Sequence, residues 1–249
     1  MGRAYAPRDP AAAVAAVRAA RSDASRVLLE GVHAVKHALR FDADVEVVLT
    51  PDRGLVAQLL EDLAPDVADA ALARTVAVDG GVWRSVVPRE LPSPAVAVAI
   101  RPSVEAADVL AAAGPVVALE QPRHLGNLGA VIRVAAAAGA GGVLVIGSAD
   151  PWHPTAVRGS AGLGFALPVT ATPTLPPTDR PVLALTGDGA ALPPGGLRPD
   201  TVLLVGTERG GLSPEARQRA TGSVAIPMRA GVSSLNLATA VAVALYAGR

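Results

Sequence analysis

The sequence has no cysteine, and few of its residues are aromatic. Without cysteine the chain cannot carry disulfide bonds, a thiolate nucleophile or a zinc site with thiolate ligands, and this absence fits a reducing cytoplasm. Aromatic residues make up 2% of the chain, so the stacking platforms used by many single-strand nucleic-acid binders are nearly unavailable. The formal net charge is zero, and Lys36 is the single lysine, so charge does not indicate a partner.

Long hydrophobic runs are absent as well. The longest apolar stretch, residues 235–247, is shorter than the ~20 apolar residues that a membrane-spanning helix needs, and it contains Asn236 and Thr239. The first ten residues lack the apolar centre of a signal peptide. We therefore expect a soluble cytoplasmic protein with no membrane partner.

What the sequence does have is apolar residues, 51% of the chain, arranged in alternating strand-like and helix-like segments. In the first half, a helix-prone stretch within a leading arm (residues 1–24) precedes segments typical of a small α/β domain. The predicted strands cover residues 26–29, 45–50, 75–78 and 95–100, and the predicted helices cover residues 32–40 and 55–63. Prolines near residue 102 mark a boundary, so we predict domains at residues 1–103 and 104–249.

The second half contains short apolar runs without polar alternation, which are typical of strands buried on both faces of a parallel sheet. These runs cover residues 116–119, 143–146, 182–185 and 202–205. A helix is predicted over residues 127–138, and residues 187–200 are predicted to form a loop between two strands. The last helix, residues 235–246, has almost no polar face, so we expect it to be buried on all sides, in part at a homodimer interface.

Three segments of the second half carry the polar residues of a possible site: residues 124–133, 205–213 and 226–239. Each is predicted to turn from a strand end into a helix N-terminus. The predicted helix caps are Asn127, Ser213 and either Ser233 or Ser234. Gly206, Gly210 and Gly211 allow backbone N–H groups to approach a ligand closely. Taken one at a time, these segments are equally typical of ordinary turns.

Taken together, the order and spacing of the three segments resemble the motifs of the SpoU family of RNA 2′-O-methyltransferases, within the SPOUT superfamily. The resemblance extends to residues 155–162 and, in the first half, to residues 27–35. It implies an α/β catalytic domain whose C-terminal segment forms a deep trefoil knot. It also implies a small N-terminal α/β substrate-binding domain resembling a ribosomal protein, and a homodimer packed through the knot region.

The resemblance also implies a cofactor, S-adenosylmethionine, and roles for particular residues. Gly206, Ile226 and Leu235 match cofactor-binding positions, with Thr186, Thr207 and Met228 as weaker candidates. The residues expected to act in catalysis are Arg133, Asn127, Glu208, Asn236 and Ser234, and those expected to contact RNA are Arg123, Arg158 and Arg209. Since arginine hardly deprotonates, we expect Arg133 to hold phosphate and polarise the ribose hydroxyl rather than act as a base. No metal is expected.

Several alternatives stay open. Ribosomal RNA is favoured over transfer RNA as the substrate, and a non-catalytic RNA-binding or assembly factor of the same fold is possible. A conventional α/β enzyme with a nucleotide cofactor would need a glycine-rich phosphate loop, which the sequence lacks. The residues before Asn127 depart from the Asp-Pro that is common in the family. Glu30, His33 and His37 share a predicted helical face, where solvated histidines are favoured over metal ligands.

Overall fold

The apolar runs of the sequence become the strands of two separate β-sheets. The computed structural model describes residues 9–207 and 210–248. The strands are β1 Arg26–Glu30, β2 Val45–Thr50, β3 Thr75–Ala77, β4 Val96–Ile100, β5 Val116–Glu120, β6 Gly142–Ile146, β7 Val169–Thr172, β8 Val182–Ala191, β9 Val202–Val205 and β10 Gly222–Ala225. The α-helices are α1 Pro10–Ala19, α2 Val32–Arg40, α3 Arg53–Leu63, α4 Ala68–Leu72, α5 Gly80–Val86, α6 Ala106–Ala111, α7 Leu125–Ala137, α8 Pro154–Gly159, α9 Pro214–Arg219 and α10 Leu237–Tyr246, and a 3-10 helix spans Leu163–Ala166.

The first unit comprises the chain up to Pro102 together with Trp152–Ala166. Its four-stranded sheet has the order β1-β4-β2-β3, in which β4 is antiparallel to both β1 and β2 and β3 is parallel to β2. Ala13 and Val17 of α1 are fully buried in the core of this unit. The prediction of a leading arm is therefore wrong for residues 10–19, because the apolar face of α1 packs on the sheet.

The segment Trp152–Ala166 corrects the predicted division of the chain into two continuous domains. α8 packs against β1, and the 3-10 helix packs against α2, both within the first unit. The ring of Trp152 lies against that of Phe165, with 4.9 Å between centroids. Gly162 (φ +78°) lies so close to α2 that an added Cβ would be 2.5 Å from the carbonyl oxygen of Ala34. Such close packing holds a segment far away in the sequence within the first unit.

The second unit comprises Ser103–Pro151 and the chain from Leu167 onwards. Its six strands, in the order β10-β8-β9-β5-β6-β7, are all paired in parallel. This confirms the parallel sheet that the continuous apolar runs predict. On one face, residues of β5, β6, β8 and β9 form a core with Val109 of α6. α7 and α10 pack against each other.

β8 differs most from the sequence prediction. Residues 187–200 were expected to be a loop, but the strand continues to Ala191 because Ala190 and Ala191 pair with Val224 and Ala225 of β10. In the pairing of β8 with β10, the residue paired after Ala184 is Ala190, so the residues between them form a large bulge. Bulges of this kind re-aim side chains, and this one lies beside the cavity described below.

The last helix, α10, is apolar as predicted but is not buried on all sides in the single chain. Val241 and Ala244 are fully buried, whereas Val243 and Tyr246 are 39% and 46% exposed. In the part of the chain that the structure describes, no helix is both long enough and apolar enough to cross a membrane.

Candidate cofactor and RNA site

A cavity of the second unit lies between the bulge of β8, the end of β9 and the segment that leads into α10. All six residues expected to bind the cofactor line it. The residues lining the cavity are Leu185, Thr186, Gly187, Val205, Gly206, Thr207, Gly211, Ile226, Met228, Ser233, Ser234, Leu235, Leu237 and Ala240. These residues are brought together because the carboxyl ends of parallel strands meet at one edge of the sheet.

Gly206, Thr207 and Gly211, in the loop after β9, form one wall of the cavity; the described residues of this loop, 206–207 and 210–213, are called the glycine loop below. Thr207 and Gly211 exchange backbone hydrogen bonds of 3.0 and 3.1 Å, which close the loop into a tight turn. A methyl group on Gly206 would overlap the backbone of Gly211, so no other residue fits without moving the loop. Glu208 and Arg209, expected to act in catalysis and in RNA binding, lie outside the described residues.

Thr186 belongs to the bulge of β8 and lines the same cavity. Its hydroxyl oxygen is buried and makes no hydrogen bond of good geometry within the described part of the chain. A buried hydroxyl without a partner costs free energy, and a ligand that supplies the partner regains it. Thr186 thus places a buried hydroxyl in the wall of the cavity.

The lining contains both enclosed and exposed groups. Met228 and Leu235 are 37% and 39% exposed, and Ser234 is exposed as well, so the segment before α10 forms an open side of the cavity. Ile226 is half-buried. An apolar lining with a few polar atoms is typical of small-molecule sites.

Asn127 and Asn236 meet beside this cavity without lining it. The Asn236 amide nitrogen lies 3.4 Å from the side-chain oxygen of Asn127. The Asn236 side-chain oxygen accepts hydrogen bonds from the backbone N–H groups of Ala238 and Thr239, at 2.9 and 3.4 Å. Asn236 is thus the N-cap of α10.

Two predicted helix caps are wrong. Asn127 lies inside α7, whose N-cap position is held by His124, because the helix begins two residues earlier than predicted. Ser233 and Ser234 precede the cap of α10, which is Asn236. The prediction for Ser213 is confirmed, since its hydroxyl accepts from the backbone N–H of Ala216 at the start of α9.

The arginines expected to contact RNA or ribose are spread over both units. Arg133 lies on α7 and Arg123 precedes that helix, and both side chains are exposed. Neither residue lines the cavity. Arg158 belongs to the first unit, where its guanidinium is 2.9 Å from the carboxylate of Glu30. Arg89 pairs with the same carboxylate, so Glu30 already neutralises part of this positive charge.

The prediction that Glu30, His33 and His37 share one helical face is wrong in part. Glu30 is the last residue of β1 rather than a helix residue. His37 is half-buried instead of solvated, and its Nδ1 lies 2.7 Å from the carbonyl oxygen of Ala161. Burial lowers the pKa of His37, while the contact with that carbonyl raises it by less. Among the described residues, no three His, Cys, Asp or Glu side chains are grouped as a metal site would need.

Sequence reasoning missed residues on both sides of the glycine loop. Leu185 and Gly187 line the cavity but lie outside the three motif segments, and only their position next to Thr186 hints at it. Leu237 also lines the cavity; it belongs to the third segment but was given no role. Glu120, at the end of β5, was also missed. Its carboxylate accepts hydrogen bonds from the backbone N–H and the hydroxyl of Ser213, at 2.8 and 2.6 Å.

The sequence matches the family described as the SpoU rRNA Methylase family over residues 114–246. Since this stretch is more than half of the 249 residues, the chain belongs to that family. The matched region contains all three motif segments.

Relatives of known name are similar over different shares of the chain. The 23S rRNA (uridine(2479)-2'-O)-methyltransferase of Streptomyces viridochromogenes is 35% identical over 144 residues, which are 52% of this chain and 50% of the relative. The uncharacterized tRNA/rRNA methyltransferase Mb0905 of Mycobacterium bovis is 33% identical over 245 residues, covering 88% of this chain and 79% of the relative. In five relatives, the Streptomyces viridochromogenes enzyme among them, the matched region spans only 24% to 58% of the relative's length.

Solved structures resemble the whole chain. The SpoU methyltransferase AviRb from Streptomyces viridochromogenes, in complex with the cofactor AdoMet, superposes with a TM-score of 0.74 at 25% identity, over 97% of both chains. A structure described as an RNA 2'-O ribose methyltransferase has a TM-score of 0.70 at 28% identity and covers 95% of this chain and 93% of its own. The α/β fold with a parallel sheet therefore matches that of SpoU methyltransferases.

Proposed function

We propose that this protein transfers a methyl group from S-adenosylmethionine to a ribose 2′-hydroxyl of RNA. The observation that carries the proposal is that all six residues expected to bind the cofactor line one cavity, although they are spread over residues 186–235. Membership of the SpoU rRNA Methylase family supports the reaction. So do the named relatives that methylate 23S rRNA at ribose, and the similar structure that holds AdoMet.

The residues that line the cavity fit S-adenosylmethionine. Backbone groups of the glycine loop are accessible because Gly206 and Gly211 carry no side chain. The hydroxyl of Thr186 offers a polar contact, and Ile226, Leu235 and Met228 offer apolar surface. When bound, the cofactor supplies an electrophilic methyl group on a sulfonium centre.

The ribose hydroxyl must be aligned with that methyl group and made more nucleophilic. The exposed guanidinium of Arg133 can bind a phosphate and donate a hydrogen bond to the hydroxyl, which polarises it. We infer that Asn127 and Asn236, which meet at 3.4 Å, orient the ribose together with Ser234 and Glu208. Because arginine remains protonated, the proton passes to another acceptor, for which a substrate phosphate is available.

Ribosomal RNA is the proposed substrate, in preference to transfer RNA. The family description and two of the named relatives support this choice. Arg123, Arg158 and Arg209 are proposed to contact the RNA, with Arg158 held by Glu30. We further propose that the first unit binds the RNA substrate and that the protein works in the cytoplasm, where ribosomes are found.

We also propose that the protein is a homodimer packed through α10 and that the end of the chain forms a trefoil knot. Exposed apolar side chains on α10 support the dimer. The chain end passes very close to the loop between β8 and β9, where a methyl group on Gly248 would overlap the carbonyl of Gly195. A threaded C-terminal segment requires close packing of this kind.

The test is calorimetric titration of the purified protein with S-adenosylmethionine. We expect binding near one cofactor per chain, and loss of at least tenfold in affinity in Gly206→Ala, because the added methyl displaces the glycine loop. Gly195→Ala is the matched control, since a methyl there meets no atom within 4 Å. Methyl transfer from labelled cofactor to ribosomal and transfer RNA then identifies the substrate.

Absence of binding by the folded wild-type protein would contradict the proposal and favour an RNA-binding or assembly factor that lacks catalysis. Unchanged affinity in Gly206→Ala would show that the cavity is not where the cofactor binds.

A further inference from the structure

Glu120 is a buried carboxylate to which the proposed reaction assigns no role. It is the last residue of β5 and only 8% exposed. Both of its oxygens accept hydrogen bonds from one residue, Ser213, which is 93 positions away in the sequence. Two hydrogen bonds from one residue to a buried carboxyl group fix the geometry of both partners. The pair therefore ties two distant segments of the second unit firmly together.

The position of Glu120 gives this link a particular consequence. β5 and β9 pair in parallel with Leu119 opposite Val205, so Glu120 stands level with Gly206, the first residue of the glycine loop. Ser213 is the last residue of the same loop. The beginning of the loop is thus fixed to β5 by the sheet, and its end is fixed to β5 by the carboxylate.

The cavity wall lies between these two fixed points. Gly206, Thr207 and Gly211 line the cavity, and the Thr207–Gly211 hydrogen bonds close the turn between them. Glu120 itself does not line the cavity; it lines a separate pocket on the α9 side, with Ile146 and Leu204. Any effect of Glu120 on a ligand in the cavity must therefore act through Ser213 and the loop.

We propose that Glu120 is a positioning residue, which holds Ser213 so that the glycine loop keeps the backbone shape that binds the cofactor. The identity of the ligand rests on the proposed function, but the link between Glu120 and the loop does not. Ser213 is also the N-cap of α9, so the same contact aligns the start of that helix with the end of the loop.

The first experiment replaces the carboxylate by its amide. In Glu120→Gln, one acceptor oxygen becomes an N–H donor, so the side chain can no longer accept both hydrogen bonds from Ser213. We expect the dissociation constant for S-adenosylmethionine, measured by calorimetry, to rise about tenfold or more, which corresponds to the loss of one strong hydrogen bond. The variant is expected to fold, because the carboxyl group borders an open pocket that water can enter.

Two further variants separate positioning from general stability. Glu46→Gln makes the same chemical change at a half-buried carboxylate of the first unit, which pairs with Arg26 at 2.8 Å, and should leave the affinity unchanged. Ser213→Thr keeps the hydroxyl and should retain near-wild-type affinity, whereas Ser213→Ala should weaken binding. Glu120 and Ser213 act through one contact. The double variant Glu120→Gln/Ser213→Ala should therefore bind S-adenosylmethionine no more weakly than the weaker-binding single variant.

A readout that needs no ligand is amide hydrogen exchange. In Glu120→Gln we expect faster exchange at Gly211 and Ser213 than in the wild type, and unchanged exchange in the strands of the first unit. This measurement tests whether Glu120 holds the glycine loop, and it needs no bound S-adenosylmethionine. If the wild-type protein does not bind S-adenosylmethionine, the proposed function fails, and the exchange rates alone show whether Glu120 holds the loop.

The proposal is overturned if the wild type binds the cofactor and Glu120→Gln binds it equally well. It is also overturned if Glu120→Gln lowers the melting temperature but changes neither the affinity nor the exchange rates of the loop, because the role is then only structural.

Discussion

At the scale of single residues, Asn236 performs two tasks with one amide group. Its oxygen caps α10 through a 2.9 Å hydrogen bond from Ala238, and its nitrogen faces Asn127 at 3.4 Å. The first contact has good geometry, whereas the second is long for a hydrogen bond. Asn236 therefore contributes to stability mainly as a cap, and its contact with Asn127 is the part available to a substrate.

These two tasks can be separated by substitution. Asn236→Ala removes the cap and should lower the free energy of unfolding by about 1 kcal/mol. Asn236→Asp keeps the capping oxygen and adds a negative charge at a helix N-terminus, so its stability should stay within a few tenths of a kcal/mol of the wild type. It nevertheless loses the donor that faces Asn127, and we expect methyl transfer to fall in both variants. Urea unfolding and a turnover assay measure the two effects; equal stability of Asn236→Ala and the wild type would contradict the capping role.

At the scale of elements, the segment Trp152–Ala166 depends on one glycine. Gly162 has φ +78°, a conformation that residues with a side chain rarely adopt, and it faces the backbone of α2 at Ala34. The turn after α8 can approach α2 only because no Cβ lies between them. The packing of α8 on β1 and of the 3-10 helix on α2 follows from that approach.

Replacement of this glycine should therefore be costly. In Gly162→Ala the new methyl would be 2.5 Å from the Ala34 carbonyl oxygen, and we expect a loss of more than about 2 kcal/mol in the free energy of unfolding. Gly54→Ala is the matched control in the same unit, because it lies in α3 and its nearest atom, a carboxylate oxygen of Asp52, is 3.4 Å away. Its stability should be unchanged or up to about 1 kcal/mol higher. Similar denaturation curves for the two variants would show that the close approach is not required.

At the scale of the whole molecule, exposed apolar side chains concentrate near the end of the described chain. Of eight exposed large apolar residues among those described, five lie between residues 228 and 246: Met228, Val232, Leu235, Val243 and Tyr246. Three of these side chains come directly before α10 and two lie on it. Exposed apolar side chains that form a patch are typical of interaction surfaces, and the proposed second copy of the chain would cover those on α10.

A charge placed on this surface tests the proposed homodimer. We expect the wild type to have the mass of a dimer at micromolar concentration by light scattering, and Val243→Arg to have the mass of a monomer, because an unpaired charge would be buried at the interface. Leu55→Arg, an equally exposed position on α3, should remain dimeric. A monomeric wild type, or a dimeric Val243→Arg, would argue against packing through α10.

The sequence alone determined most elements of the two sheets. Runs such as Val202–Val205 become strands of the parallel sheet because they are short and bounded by turn residues, and among strands only those buried on both faces tolerate continuous apolar residues. Val32–Arg40 is a helix with the predicted bounds because its apolar residues recur with helical spacing. The six residues proposed to bind the cofactor were chosen because their segments resemble motifs of the family, and they line one cavity because chain topology brings these segments together.

Only the tertiary structure decided the features that depend on contacts between distant residues. These are the assignment of Trp152–Ala166 to the first unit, the continuation of β8 to Ala191, and the link between Glu120 and Ser213. Local pattern could not predict them, because each depends on which distant backbone or side chain lies opposite. The same reason explains why the capping of α10 was assigned to the wrong residue: Ser234 and Asn236 are both good caps by composition, and the point where the helix begins is set by its packing on α7.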